Sequence, residues 1–270
     1  MTKKNFRRKA GDGEIRGWRR GLPGLLILLL GAMGCGQGNS VFSACDAEGV
    51  CEALVETRLF SGTLPLSPRS GFWHSSKGPK KFTIELGPQL ITNPQWPNPA
   101  IKQVTVSAAR TGREIAIRLE WDDPTADSLG TDNKLYTDQA ALLFPVDRTR
   151  ELPPITMGAE GQEVNIWVWK PIREPAPGVD PLPSSPNPVE DLNAEGFSTL
   201  TRQPRQDVWG RAHRNGSGWE VVFKRALTDE DPDDAQFVGS TPLAIAVWDG
   251  GNRETNGQKG ISPWIFLKFV

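Results

Sequence analysis

Glu163–Trp169 has the sequence EVNIWVW, in which apolar side chains alternate between two faces of an extended chain. The two faces carry, in order, Asn165, Trp167 and Trp169, and Val164, Ile166 and Val168. A period of two residues is typical of a β-strand, and β-branched and aromatic residues favour that conformation. The stretch therefore predicts a strand.

Eight further stretches carry β-branched or alternating apolar residues between loops rich in Gly, Pro, Asn and Asp. They are Lys81–Leu86, Gln103–Ala109, Glu114–Trp121, Asp138–Phe144, Val208–His213, Trp219–Lys224, Leu243–Trp248 and Trp264–Val270. No stretch shows a long 3.6-residue period. The sequence predicts an all-β fold, an antiparallel β-sandwich of about nine or more short strands with long loops.

One long stretch interrupts the strand pattern. Residues 173–204 are rich in Pro and Ser and nearly free of bulky apolar residues before Leu192. Loops of this length are usually functional or disordered. We expect a surface insertion here, either a docking segment or a disordered loop.

The first 34 residues have the pattern of an export signal. Basic residues precede the apolar run Leu25–Leu30, which is too short to span a bilayer comfortably. The segment AMGC ends at Cys35 and resembles a bacterial lipobox, so Cys35 is the candidate lipid attachment site; cleavage by an ordinary signal peptidase is the alternative. We expect a signal peptide over 1–34, a tether over 35–60 and a folded domain over 61–270, in a periplasmic or extracytoplasmic location and anchored to the membrane by lipid.

Removal of the leader would change which sulfur-containing residues remain. Met157 would be the one methionine left, and Cys45 and Cys51 the two cysteines besides Cys35. In an oxidising compartment Cys45 and Cys51 could form a disulfide, but their spacing does not show that the geometry closes.

Composition and motifs exclude several functions. The net charge of −1 does not favour a nucleic-acid partner. The chain has no CxxCH motif for covalent haem, too few cysteines for an iron–sulfur cluster, and no glycine-rich phosphate loop. Its two histidines, His74 and His213, lie in no catalytic signature, so the sequence argues against an enzyme.

Two acidic stretches could bind calcium. Asp249, Asn252 and Glu254 lie in one loop, and Asp122, Asp123 and Asp127 follow a predicted strand. Neither has the spacing of an EF-hand loop, and polar turns are the simpler interpretation.

Met157 lies in the loop PPITMG, where packing would be the simplest role for a methionine. The wider pattern changes that interpretation. The segments DQAALLFP, PPITMG, GQEVNIWVWK and AIAVWDGGNRETNGQK occur in this order, after IAIRLEWDDPTAD. Over about residues 55–270 the chain resembles the haem-b-binding gamma subunits of type II molybdenum enzymes of the dimethyl-sulfoxide-reductase superfamily. That family includes the gamma subunits of ethylbenzene and dimethyl sulfide dehydrogenases and of selenate, chlorate and nitrate reductases.

The resemblance implies a β-sandwich that binds one non-covalent haem b. Its axial ligands would be Met157 and Lys259, with His74 as the reserve ligand. The candidate pocket walls are Phe144, Trp167, Trp169 and Trp248, although strand parity does not say which face meets the porphyrin.

The functional hypothesis is a non-catalytic electron-transfer subunit. It would relay electrons between the iron–sulfur subunit of a periplasmic molybdenum oxidoreductase and an external cytochrome or quinone-linked carrier. The main alternative is a lipid-anchored, carbohydrate-binding sandwich without a redox role, because an aromatic-rich β pattern suits a sugar ligand as well as a porphyrin. A stand-alone periplasmic haem sensor or carrier is a third hypothesis.

Overall fold

The computed structural model describes residues 42–45, 51–128, 136–171 and 187–270. This part of the chain contains one short helix, α1 (Gly71–His74). The strands are β1 (Phe42–Cys45), β2 (Cys51–Leu59), β3 (Phe82–Glu85), β4 (Gly87–Pro88), β5 (Gln103–Arg110), β6 (Glu114–Asp122), β7 (Gln139–Pro145), β8 (Val164–Trp169), β9 (Val189–Ala194), β10 (Thr201–Arg202), β11 (Trp209–Arg214), β12 (Gly218–Ala226), β13 (Thr241–Trp248), β14 (Gly260–Ile261) and β15 (Ile265–Phe269). None of the helices within the described ranges has the length and apolarity needed to cross a membrane.

The strands form one continuous sheet, and β13 joins its two halves. The order is β10-β9-β8-β7-β13-β15-β2-β5-β6-β12-β11, with β1, β3, β4 and β14 attached at the side. Residues Thr241–Leu243 of β13 pair with β15, whereas residues 244–248 pair with β7. This junction lets one sheet form both layers of a sandwich.

The main hydrophobic core lies between the two halves. Side chains of β7, β8 and β13 share one buried cluster with side chains of β5, β6 and β12. Trp169 of β8 contacts Trp121 of β6 and Trp219 of β12, with ring centroids 6.1 and 4.9 Å apart. The predicted β-sandwich is confirmed.

The sheet is mixed rather than purely antiparallel, because β2 runs parallel to both of its neighbours, β15 and β5. This strand also corrects the expected tether over 35–60. Its residue Val55 is fully buried in the main core, so the folded domain includes 51–60.

All nine predicted strands are present, with ends within two residues of the predicted ends. The insertion expected over 173–204 is wrong in its second half, where β9 and β10 extend the sheet; residues 172–186 lie outside the described ranges. β9 contains polar residues, so its sequence lacks the apolar pattern of a strand. They are buried and bound by their neighbours: Asn165 Nδ2 donates to Asp191 Oδ1 at 2.7 Å and to Asn193 Oδ1 at 3.1 Å.

The faces of β8 have different surroundings. Trp167 and Trp169 point into the main core, together with Phe144 of β7. The opposite faces of β7, β8, β9 and β13 carry a second buried apolar cluster, which lies on the outer side of the sandwich. An apolar face on the outside of a sandwich is the kind of surface that binds a ligand or a partner.

Candidate cofactor site

A cavity of about 860 Å³ lies over the outer apolar face. This volume is typical of cavities that bind small molecules and cofactors. Its floor is formed by Ala141, Leu143, Ile166, Val168, Leu192 and Ala244. Phe197 and Leu200 also line it and are about half exposed, so the protein alone leaves apolar surface in contact with water.

Met157 lines this cavity from the loop between β7 and β8. Its φ is +78°, in the left-handed region that side chains with a Cβ adopt at a cost. Two backbone bonds hold the loop: Gly158 N donates to Pro154 O at 2.9 Å, and Gly196 N donates to Met157 O at 2.8 Å. Because strained residues of this kind concentrate at functional sites, the strain supports a role for Met157 beyond packing.

Lys259 lines the same cavity from the loop between β13 and β14. Its Nζ lies 4.7 Å from the centre of the Trp248 ring, and no described carboxylate forms an ion pair with it. Loss of hydration lowers the pKa of Lys259 to about 8. Lys259 therefore loses its proton at a lower pH than a lysine in water, and the neutral amine is the form that binds metal.

Met157 and Lys259 approach the cavity from opposite ends of the strands. The Met157 loop enters β8 at Val164, which pairs with Pro145 of β7. Lys259 precedes Gly260, which pairs with Val247 near the other end of the sheet. Five residues of β7 separate the two ends, a span of about 17 Å along the strand. A flat ligand on this face would meet a thioether from one end and an amine from the other.

Gln89 and Glu254 hold the Lys259 loop, a role that the sequence does not predict for either residue. Gln89 Nε2 donates to Gly257 O at 3.0 Å, while its Oε1 accepts from the backbone of its own loop. Glu254 is fully buried: its Oε1 accepts from Trp96 Nε1 at 2.9 Å and Ala100 N at 2.8 Å, and its Oε2 accepts from Asp249 N at 2.9 Å. Glu254, considered above as a calcium ligand in a polar turn, instead fixes the backbone of its loop.

The cavity also has a charged side. Lys170 at the end of β8, Glu190 of β9 and Arg202 of β10 line it. Arg202 Nε is 3.9 Å from Glu190 Oε1, a long and partly exposed contact that contributes little stability. The two cations can therefore turn toward an anionic ligand at small cost.

Comparison with known proteins agrees with this arrangement. Residues 72–181 match the family model described as ethylbenzene dehydrogenase, and this range includes Met157. The chlorate reductase subunit gamma of Ideonella dechloratans is 31% identical over 243 residues, which cover 86% of this chain and 95% of that protein. The chain belongs to the gamma subunits of type II molybdenum enzymes. The chlorate reductase relative is a subunit of a reductase complex, which is consistent with an accessory rather than a catalytic role.

A second relative and two solved structures resemble this gamma subunit. A protein of Haloferax mediterranei named as a candidate respiratory nitrate reductase haem subunit is 28% identical, over 76% of this chain and 68% of that protein. A family 9 carbohydrate-binding module of Caldicellulosiruptor kristjanssonii and a candidate carbohydrate-binding protein of Bacteroides uniformis each cover 80% of this chain, and 93% and 99% of their own, at 8% and 9% identity. Their TM-scores are 0.42 and 0.44, too low to support a conclusion about the gamma subunit.

The structure brings three of the predicted site residues of the gamma subunit to one cavity: Met157, Lys259 and Trp248. The prediction that Phe144, Trp167 and Trp169 wall the pocket is wrong for this cavity, since all three lie in the main core behind its floor. The predicted alternation of side chains along β8 is confirmed. The face that carries Asn165, Trp167 and Trp169 is the inner one, where Trp167 Nε1 donates to Asn165 Oδ1. His74 lies outside the cavity lining, exposed, with its Nε2 3.2 Å from Pro68 O.

The cysteines of the gamma subunit are only partly placed. Cys45 and Cys51 are directly opposite each other in the β1–β2 hairpin. Cys35 and the predicted signal peptide lie outside the described residues.

Proposed function

We propose that this gamma subunit binds one haem b in the cavity between Met157 and Lys259 and serves as an electron-transfer subunit. The observation that carries the proposal is a thioether and a half-buried amine that line one cavity over an apolar face. The residues present fit a porphyrin: the floor is apolar, both side chains line the cavity, and Lys259 has no described carboxylate partner. The name of the Haloferax relative supports the choice of haem.

The two proposed ligands favour electron transfer over catalysis at the iron. A thioether is a soft, neutral ligand that favours ferrous iron, and lysine binds only as the neutral amine. If Met157 and Lys259 both bound the iron, no iron position would remain open for oxygen or substrate. A haem bound in this way supplies a one-electron carrier, and the protein sets its potential through these ligands and the dry floor.

The remaining lining residues have roles in binding. Lys170 and Arg202 are placed to neutralise carboxylates such as the haem propionates. Phe197 and Leu200, half exposed in the protein alone, would be covered by the porphyrin. Trp248 supports the Lys259 side chain and donates its Nε1 to Asn256 O at 3.1 Å, which fixes the start of the ligand loop.

The names of the relatives, which are subunits of chlorate and nitrate reductases, support the choice of partners. In this proposal, the gamma subunit contacts an iron–sulfur subunit, which serves a molybdenum catalytic subunit. It exchanges electrons with an external cytochrome or quinone-linked carrier.

The proposed location is periplasmic or extracytoplasmic, with a lipid anchor at Cys35. The leader sequence supports it. The backbone register of Cys45 and Cys51 supports a disulfide, because directly paired antiparallel residues have Cα separations within the range that disulfides span.

Haem reconstitution of the chain purified without its leader tests the proposal. We expect a Soret band and a six-coordinate, low-spin spectrum. Met157→Ala should alter that spectrum, whereas Ile155→Ala, which removes another lining side chain of the same loop, should keep the low-spin form. Absence of a Soret band with folded protein would refute haem binding, and an unchanged Met157→Ala spectrum would refute the ligand. Haem-free protein that binds soluble glucans would favour the carbohydrate-binding hypothesis.

A further inference from the structure

Three buried carboxylates meet at one end of the sheet, outside the lining of the cofactor cavity. Asp123 directly follows β6, Asp138 directly precedes β7, and Asp249 directly follows β13. Their exposed fractions are 0%, 0% and 5%, and one oxygen of each lies within 4.8 Å of the others. Three ionised carboxylates this close repel one another, so the cluster needs positive charge or protons.

The described residues supply little positive charge to this cluster. No described Lys or Arg forms an ion pair with the three carboxylates. Arg214 is close, but its Nη2 donates to the backbone oxygen of Asp123 at 2.7 Å. Asp123 Oδ2 is buried and has no hydrogen-bond partner, although Oδ1 accepts from Thr125 N.

A second acidic cluster in the same chain shows the contrast. Asp191, Asp207 and Asp234 also gather their oxygens within 4.8 Å. There Arg225 lies among them, with Nε 3.2 Å from Asp207 Oδ1 and Nη2 2.7 Å from Asp234 Oδ2. In that cluster Arg225 supplies the positive charge. No described Lys or Arg forms an ion pair with Asp123, Asp138 or Asp249.

The buried Asp123 Oδ2, which has no hydrogen-bond partner, is the second indication of a ligand, and further oxygens lie close by around Gly251. A Cβ at Gly251 would lie 2.5 Å from Thr125 Oγ1, 3.0 Å from Asp249 Oδ1 and 3.1 Å from Asp127 Oδ2. Thr125 Oγ1 and Asp127 Oδ2, which follow β6, thus lie close to Asp249 Oδ1, which follows β13. Hard cations prefer such sets of oxygens.

We propose that Asp123, Asp138 and Asp249 bind a calcium ion at a site distinct from the haem cavity. Calcium takes six to eight oxygens at about 2.3–2.6 Å, so oxygens on opposite sides of the ion are about 5 Å apart. One oxygen of each carboxylate lies within 4.8 Å of the others, which is close enough to share one such ion. Magnesium usually keeps several waters and binds only one or two carboxylates, so three buried carboxylates suit calcium better. Asp127 and Thr125 are the nearby oxygens that could complete the shell.

The ion would stabilise the segments that carry the cofactor site. It would tie the residues after β6 to the start of β7, where Thr137 and Gln139 line the cavity. It would also tie both to the first residue of the loop that ends at Lys259. We therefore expect calcium to stiffen the Lys259 loop in addition to stabilising the sandwich.

Terbium luminescence provides a direct test, because Trp219 Nε1 is 2.9 Å from Asp138 Oδ2 and can sensitise a bound terbium ion. The haem-free chain would be stripped with EDTA and titrated with Tb³⁺, then with competing Ca²⁺. We expect sensitised emission that Ca²⁺ displaces, and a Ca²⁺-dependent rise in Tm. Asp123→Asn and Asp249→Asn should each weaken Tb³⁺ binding at least about tenfold, since calcium affinity follows the charge of the ligand set.

The control variant is Asp147→Asn, an exposed carboxylate in a turn closed by Thr149, which should bind as the wild type does. Metal-free Asp123→Asn should fold and have an unchanged or higher Tm than the metal-free wild type, because it removes a buried charge that lacks a partner. A wild type without sensitised emission or a Ca²⁺-dependent Tm would overturn the proposal. So would an Asp249→Asn variant that binds Tb³⁺ with unchanged affinity.

Discussion

Lys259 Nζ lies 4.7 Å from the centre of the Trp248 ring, and no described carboxylate pairs with it. A cation over an aromatic face gains about 0.5–2 kcal/mol, depending on its hydration. This contact compensates only part of the cost of burying the ammonium, which is why the pKa of Lys259 falls to about 8. The haem-free protein therefore keeps its proposed second ligand in a position that weakens the fold.

Lys259→Leu should separate the cofactor role of the side chain from its effect on stability. Without haem, its Tm should be unchanged or higher, because an apolar side chain replaces a poorly hydrated amine. With haem, the low-spin spectrum should be lost, because the second ligand is gone. Lys268→Leu, at an exposed position of β15, is the control and should leave the spectrum unchanged. Low-spin haem in Lys259→Leu would contradict the ligand assignment.

Gly158→Ala should destabilise the fold and disturb the neighbouring Met157. Gly158 has φ of +77°, and a Cβ there would lie 2.4 Å from Gln162 O, a backbone atom that cannot move aside easily. Gly161 is a matched control in the same loop: its φ is +71°, but nothing lies within 4 Å of its Cβ position. Gly161→Ala should cost about 1–2 kcal/mol for the left-handed backbone alone. Chemical denaturation should show a larger loss in the free energy of unfolding for Gly158→Ala than for Gly161→Ala. Equal losses would mean that the close approach to Gln162 does not affect stability.

The fold could be predicted from sequence where each strand carries its own apolar signal. The nine predicted strands have β-branched or alternating residues, and all of them form. Two of the strands that the sequence does not predict, β9 and β2, depend on partners far away in the sequence. β9 contains the polar residues Asp191 and Asn193, which are buried among hydrogen bonds that include those from Asn165 on β8. β2 was assigned to a tether because its parallel neighbours, β15 and β5, are far away in the sequence.

The site could be predicted less completely than the fold. Met157 and Lys259 came from the order of motifs, and the structure places both at one cavity. The pocket walls could not be chosen, because β8 is apolar on both faces and periodicity does not distinguish an inner from an outer face. Gln89 and Glu254 leave no sequence signal, since their partners are mostly backbone groups brought together by folding.

Asp191 should make the stability of the fold depend on pH. Burial raises the pKa of Asp191 to about 7, although Asn165 and Arg225 act in the opposite direction. The unfolded carboxyl has a pKa near 4, so between about pH 4 and 7 the folded state binds more protons than the unfolded state. The contribution of Asp191 to stability is therefore fully present below about pH 4 and is lost as the pH rises through 7. Asp191→Asn should flatten this slope in urea titrations at several pH values, and an unchanged slope would assign the pH dependence to other groups.

Glu254→Gln should weaken haem retention although Glu254 lies outside the cavity lining. The carboxylate accepts four hydrogen bonds: Oε1 from Trp96 Nε1, Ala100 N and Asn252 Nδ2, and Oε2 from Asp249 N. An amide has one accepting oxygen, so glutamine must leave at least one buried N–H without a partner, at a cost of about 1–3 kcal/mol. The affected backbone is the segment that leads from Asp249 to Lys259.

The measurement is the rate of haem transfer from the reconstituted variant to an excess of a haem-scavenging protein, alongside urea denaturation of the haem-free form. Glu160→Gln, an exposed position in the Met157 loop, is the control, and it should change neither value. If Glu254→Gln lost stability but released haem at the wild-type rate, the Glu254 carboxylate would support the fold alone. If both values changed together, the buried carboxylate would be a positioning residue for Lys259, acting through the backbone of its loop.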